Sequence, residues 1–290
     1  MKTILVPTDF SKAADNAVEY AINLAKIFKS KLLLANAVSV PIPVVTPAGI
    51  DIPFEGSEEI RMATINELHE LKDKSHHQDL NGTDPSSTFP EIEVAAGFGP
   101  PYVYLSKLVR KTRAGLVIAG LSGAGGMRRF FMGSTSRDLI NVAGFPVLLI
   151  PQDVTFKGGK QIVFASDLSM SDVKIIKYLA GMAKQLGAEI KIAHIVADTS
   201  TLVSDKVGAF MQQLKTIVYE IPLSCQSVYN RGEEEGFEWL MNHMKIDWFV
   251  MVHRNHGFWS NILKESYCQK MARQTLVPIL VVPENYHPND

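Results

Sequence analysis

The chain repeats itself. Residues 2–11 read KTILVPTDFS and residues 160–169 read KQIVFASDLS, an offset of 158 that also places Ala25-Lys26 on Ala183-Lys184 and Ala35 on Ala193. The segments that close the two copies, FPVLLIP at 145–151 and VPILVVP at 277–283, are related by an offset of 132 instead. The second copy is therefore shorter by 26 residues in its middle, and the extra length of the first lies within 41–90. Such a chain folds as two versions of one unit, and 290 residues are enough for two buried cores. The boundary is expected at 152–159, separating a first domain at 1–151 from a second at 160–284.

Each copy has the same order of elements. An apolar run (Ile4 to Val6; Ile162 to Phe164) leads into a short loop with an aspartate, Asp9 or Asp167. A serine follows, Ser11 or Ser169, suited to cap the helix behind it. Apolar residues at helical spacing predict helices over 13–28 and 172–186, the second closed by Gly187. Continuous apolar runs at 32–38 and 190–196 read as strands buried on both faces. Further strands are expected at 92–96, 116–119, 223–229 and 248–251, with a polar helix over 57–80 in the first copy. Strands alternating with helices predict an α/β fold: two tandem doubly wound parallel-sheet domains of Rossmann-like type.

After the fourth strand the first copy reads GLSGAGGMRRFFMGSTSRDLI, with Gly120 at the strand's carboxyl end, where open parallel sheets bind ligands. Glycine there is expected to let the backbone approach a ligand and to take a positive φ without steric cost. Gly133-Ser134-Thr135 opens a helix expected over 136–142, whose free N–H groups and dipole suit a phosphate. The pattern is neither GxGxxG nor a P-loop, since no GK[ST] follows. Gly125 and Gly126 are read as loop flexibility, and Arg128 and Arg129 as a solvated face.

The spacing Gly120-x2-Gly123-x9-Gly133-Ser134, together with PTDFS at 7–11, resembles the ATP-binding loop of the universal stress protein family, and the resemblance covers almost the whole chain as two tandem units. It implies a fold of the adenine nucleotide alpha hydrolase type and binding of ATP, ADP or AMP, with Mg2+ as a candidate companion. Carried over by position, the nucleotide would touch Asp9, Ala37, Ala119, Gly120, Gly123, Gly133, Ser134 and Thr135. Asp9 also has a plainer reading as a helix cap. Ala37 and Ala119 would act through backbone and shape. The resemblance further implies pairing through the final strands. The two copies are therefore expected to join antiparallel as an internal dimer, with a homodimer of whole chains left open.

The second copy departs from this pattern. Gly120, Gly123 and Gly133 fall on Val252, Asn255 and Glu265, and only Ser134 is kept, as Ser266. A carboxylate where a phosphate would sit repels it by about 4 kcal/mol at ~4 Å and an effective dielectric near 20. Asp167 survives, but this copy is not expected to hold a triphosphate in the same way. Phe258 and Trp259 are expected to cover the vacated crevice or to face a partner. His253 and His256 have no neighbouring ligand at recognisable metal spacing, so no metal is assigned.

Composition narrows the function. A net charge of −1, from 29 basic and 30 acidic residues, gives no broad attraction to nucleic acid or anionic membrane. No 18-residue apolar run occurs, and MKTILVPTDF is too interrupted for a signal-peptide core. The cysteines, Cys225 and Cys268, form no disulfide framework, so a reducing cytoplasm is expected. The leading expectation is a cytoplasmic, stress-responsive binding module. The alternative is a slow ATPase or nucleotidyl-transfer enzyme; Asp138, inside the expected helix, is the only carboxylate near the loop that could aid a metal or water.

Overall fold

In a computed structural model of the chain, residues 2–38, 56–82, 88–124, 129–131, 144–196, 201–229, 233–254 and 277–286 are described. The first copy contributes β1 (Thr3–Pro7), α1 (Lys12–Phe28), β2 (Lys31–Val38), α2 (Ser57–Gly82), β3 (Ile92–Phe98), α3 (Pro101–Thr112), β4 (Leu116–Ala124), β5 (Arg129–Phe131) and β6 (Val147–Pro151). The second contributes β7 (Gln161–Ala165), α4 (Met170–Leu186), β8 (Glu189–Val196), α5 (Thr201–Ile217), β9 (Leu223–Tyr229), α6 (Glu233–His243), β10 (Trp248–His253) and β11 (Ile279–Pro283).

The caps explain where the helices start and stop. Ser11 is extended, and its Oγ accepts from the Ala14 amide. Ser169 forms a capping box with Asp172. Both helices end on a left-handed residue. Gly187 takes that conformation without a Cβ penalty, whereas Lys29 takes it with one. The expected closure of α4 by Gly187 is thus present.

Strand order is β3-β2-β1-β4-β6-β11-β10-β7-β8-β9, one sheet in which each half repeats the same sequence of neighbours. Every pair within a half of this order is parallel, as βαβ crossovers require. The seam is antiparallel: Leu148 lies opposite Leu280, flanked by Leu149 opposite Ile279 and Val147 opposite Val281. This is the pairing expected of FPVLLIP and VPILVVP. It covers the apolar edge that either final strand would otherwise leave open.

Alternate residues of each strand feed two cores, one on each face of the sheet. Ile4, Leu34, Ile118, Leu148, Ile162 and Leu280 join helices α1 and α4 on one face. Leu5, Leu33, Val117, Leu149, Val163 and Val281 join α3 and α6 on the other. Both cores run across the seam, so the halves share their burial.

Two tyrosines 158 positions apart reinforce that seam. Tyr20 of α1 accepts a 2.7 Å hydrogen bond from the indole Nε1 of Trp248, at the start of β10. Tyr178 of α4 donates to the Gly115 carbonyl at 3.3 Å, just before β4. Each ring also meets an aromatic edge, Tyr20 with Phe156 and Tyr178 with Tyr286. Asn16 ties down the connecting segment, donating to the carbonyls of Pro151 (2.9 Å) and Val154 (3.0 Å).

Candidate functional site

In the first half the chain runs outward from β1 through β2 to β3, then returns past β1 to β4. The carboxyl ends of β1 and β4 therefore flank the switch point of the sheet, the place where such folds leave a crevice. Asp9 follows the carboxyl end of β1, Ala119 and Gly120 lie within β4 opposite Leu149 and Ile150, and Ala37 is the penultimate residue of β2, opposite Gly97.

The loop after β1 is held from within. The Thr8 amide donates to the Ala35 carbonyl, and Asn36 Nδ2 donates to the Thr8 carbonyl at 2.8 Å. Thr8 Oγ1 accepts from the Phe10 amide, which lets Phe10 sit at φ 60°, a conformation costly for an L residue. Asp9 Oδ1 accepts from the Ser11 amide at 3.1 Å, an Asx-type turn. Capping of α1 falls to Ser11, so the plainer reading of Asp9 does not hold. The Asp9 side chain is exposed at the mouth of the crevice.

The glycine segment departs from expectation. Strand β4 does not stop at Ala119 but continues to Ala124, then pairs antiparallel with β5, with Gly123 opposite Phe130. Gly120 is extended strand paired with Ile150 and lies outside the positive-φ set, contrary to the reading that it needs a left-handed backbone. A Cβ at Gly120 would stand 2.3 Å from the Ala13 carbonyl oxygen and 2.5 Å from its carbon. The neighbour that demands glycine is the first turn of α1. Ala119 is buried in the core on the α3 face. Gly133, Ser134, Thr135 and the expected helix 136–142 lie outside the described residues, as do Gly125, Gly126, Phe258, Trp259 and Cys268.

The second half rebuilds the same frame. The Ser166 amide donates to the Ala193 carbonyl, and His194 Nδ1 takes the part of Asn36 at 2.8 Å from the Ser166 carbonyl. Ser166 Oγ accepts from the Leu168 amide, and Leu168 has φ 57°. What occupies the mouth differs. Arg254, immediately after β10, is 10% exposed and pairs with Asp167 and with Asp172, which is fully buried. Its Nε donates to Glu284 at 3.2 Å, and its Nη2 to Ser169 Oγ at 2.9 Å. Ser166 Oγ donates to Asp172 at 2.6 Å. Sequence reasoning missed this group; the one available signal was an aspartate, Asp172, next to the apolar positions Val173, Ile175 and Ile176 of an amphipathic helix.

Among the described residues no cluster of three metal-ligating side chains occurs, and no helix is long and apolar enough to cross a membrane. Burial lowers the His253 imidazole below its ordinary value. It also pushes the Cys225 thiol up to about 11.

Comparison with known proteins places these observations. The universal stress protein family model matches residues 1–151. A universal stress protein of Methanocaldococcus jannaschii is 27% identical over 151 residues, covering 51% of this chain and 81% of the relative. A putative universal stress protein of Staphylococcus aureus is 29% identical over 156 residues, covering 51% and 83%. The crystal structure of a universal stress protein from Archaeoglobus fulgidus superposes over 98% of both chains with a TM-score of 0.69 at 17% identity. The cytoplasmic domain of a prokaryotic cation chloride cotransporter also superposes, over 99% of this chain and 97% of its own, with a TM-score of 0.56 at 9% identity. The double fold alone therefore does not fix a function. The family match spans the whole first copy, and the chain belongs to the universal stress protein family.

Proposed function

We propose that the chain works as two units, 1–151 and 160–284, of which the first binds an adenine nucleotide and the second does not. The ligand is ATP, or ADP or AMP, with Mg2+ accompanying the phosphates. Asp9 would accept from the ribose hydroxyls, Ala37 and Ala119 would shape the adenine and ribose end, and Gly120 and Gly123 would bring the backbone of β4 alongside. Gly133, Ser134 and Thr135 would supply amide and hydroxyl donors to the phosphates. The protein then acts as a cytoplasmic stress-response module whose nucleotide occupancy alters its shape or its partners.

The observation that carries this reading is the contrast between two equivalent aspartates. Both are exposed, but the one hydrogen bond of Asp9 among the described residues is to the Ser11 amide, whereas Asp167 is engaged by Arg254. Calorimetric titration of the full chain with ATP and magnesium tests it. One site per chain is expected, and Gly133→Glu, which copies Glu265, should remove it. Two equivalent sites would refute the assignment. ADP release should fall far below the ~10 s⁻¹ typical of enzymes. A rate near that value would replace this reading with the hydrolase one.

A further inference from the structure

At the mouth of the second half's crevice stands a charged group of the chain itself. Around Arg254 converge Asp167 from the loop after β7, Ser169 and Asp172 from the amino end of α4, and Glu284 from the segment after β11. At the first crevice the positions of Arg254, Asp172 and Glu284 are Ser122, Ala14 and Gln152, none of them charged. The cation and its two added carboxylates thus occur together at the second crevice and are absent together from the first. We propose that Arg254 is a built-in ligand, a guanidinium plug that binds where an external molecule would enter and joins the three segments such a molecule would bridge.

The physics makes the plug more than an incidental surface pair. Asp172 is completely buried, and a buried carboxylate is tolerated only when its charge is matched and its oxygens are bonded. Ser166 Oγ and the Ser169 amide satisfy one oxygen, and Arg254 supplies the charge at the other. A planar guanidinium can serve Asp167, Asp172 and Glu284 at once, which a lysine ammonium cannot match in geometry. Nucleotide phosphates would meet three carboxylates whose one guanidinium partner is already engaged, so the crevice has exchanged preference for an anion for preference for a cation.

Thermal unfolding of the full chain, without nucleotide, tests the plug. Arg254→Ala should lower the melting temperature by about 5–8 °C, because it strands Asp172. Methylguanidinium at millimolar concentration should restore part of that loss, while the same concentration of sodium chloride should not. Arg254→Ser combined with Asp172→Ala, the pair found at the first crevice, should melt well above Arg254→Ser alone. An unchanged melting temperature for Arg254→Ala would overturn the proposal. So would strictly additive effects in the double variant, or equal responses to methylguanidinium in wild type and Arg254→Ala. None of these outcomes depends on whether the first half binds a nucleotide.

Discussion

Replacing Gly120 with alanine adds one methyl group to a place that has no room for it. The new Cβ would stand 2.3 Å from the Ala13 carbonyl oxygen, 2.5 Å from its carbon and 2.9 Å from the Ala14 amide nitrogen. Carbon and oxygen rest at more than 3 Å, so about 1 Å of separation must be found. All three contacts are backbone atoms in the first turn of α1, so no rotamer change relieves them. Strand β4 cannot retreat either, since it is held between β1 and β6. Overpacking of this kind costs about 1–3 kcal/mol. In a protein of this size that lowers the melting temperature by roughly 2–5 °C. Differential scanning calorimetry in the absence of nucleotide reads the effect without any contribution from binding. Val252→Ala, at the matching position of the second half, serves as the control for a site that already accepts a side chain. A Gly120→Ala protein that melts with the wild type would show that α1 does not require the glycine, and would return its role to the ligand.

Four further outcomes follow from the buried and half-buried polar groups. Tyr20→Phe strands the buried Trp248 indole N–H and should cost about 1–3 kcal/mol in urea unfolding. Tyr178→Phe should cost less, since the Gly115 carbonyl keeps Tyr286 as a second donor; the reverse order would contradict the seam described above. Burial depresses the His253 imidazole in the fold, so the unfolded chain binds more protons between that depressed value and ~6.5. Stability should fall as pH drops through this window, and His253→Leu, matching Leu121, should flatten the decline; identical slopes would refute it. With its thiol near 11 against an ordinary 9.0, Cys225 should alkylate about 100-fold slower than a free thiol at pH 8. Iodoacetamide labelling of a Cys268→Ser protein measures this, and a rate matching free cysteine would refute it.

Much of the fold was legible because the chain states its pattern twice. Ile4 to Val6 alone could be a strand or a helix fragment, but its recurrence at Ile162 to Phe164, each followed by aspartate and serine, marks a strand, loop and helix start. Ser11, Ser169 and Gly187 act locally, within a few residues of the backbone they cap, and so could be read locally. The glycine segment was harder. Nothing near Gly120 reveals that the first turn of α1, more than a hundred residues earlier, passes against it. Glycine-rich chain after a strand reads as loop, yet β4 extends through Gly120 and Gly123 because β6 and β5 supply partners there. The Arg254 group was missed for the same reason, Asp172 being its one local signal. Its members come from three separate stretches, and only closure of the sheet brings them together.

The antiparallel seam between β6 and β11 has a consequence for how the protein responds to its own concentration. Two separate chains that meet through their final strands obey mass action, and dilution parts them. Here the two strands belong to one polypeptide, and the connection between them turns association into an intramolecular event with a high effective local concentration. The assembled sheet is then as complete in a cell holding few copies as in one holding many. One half of each chain is always presented against the other in fixed proportion, so changes in expression alter how many such units exist and leave the composition of each unit unchanged.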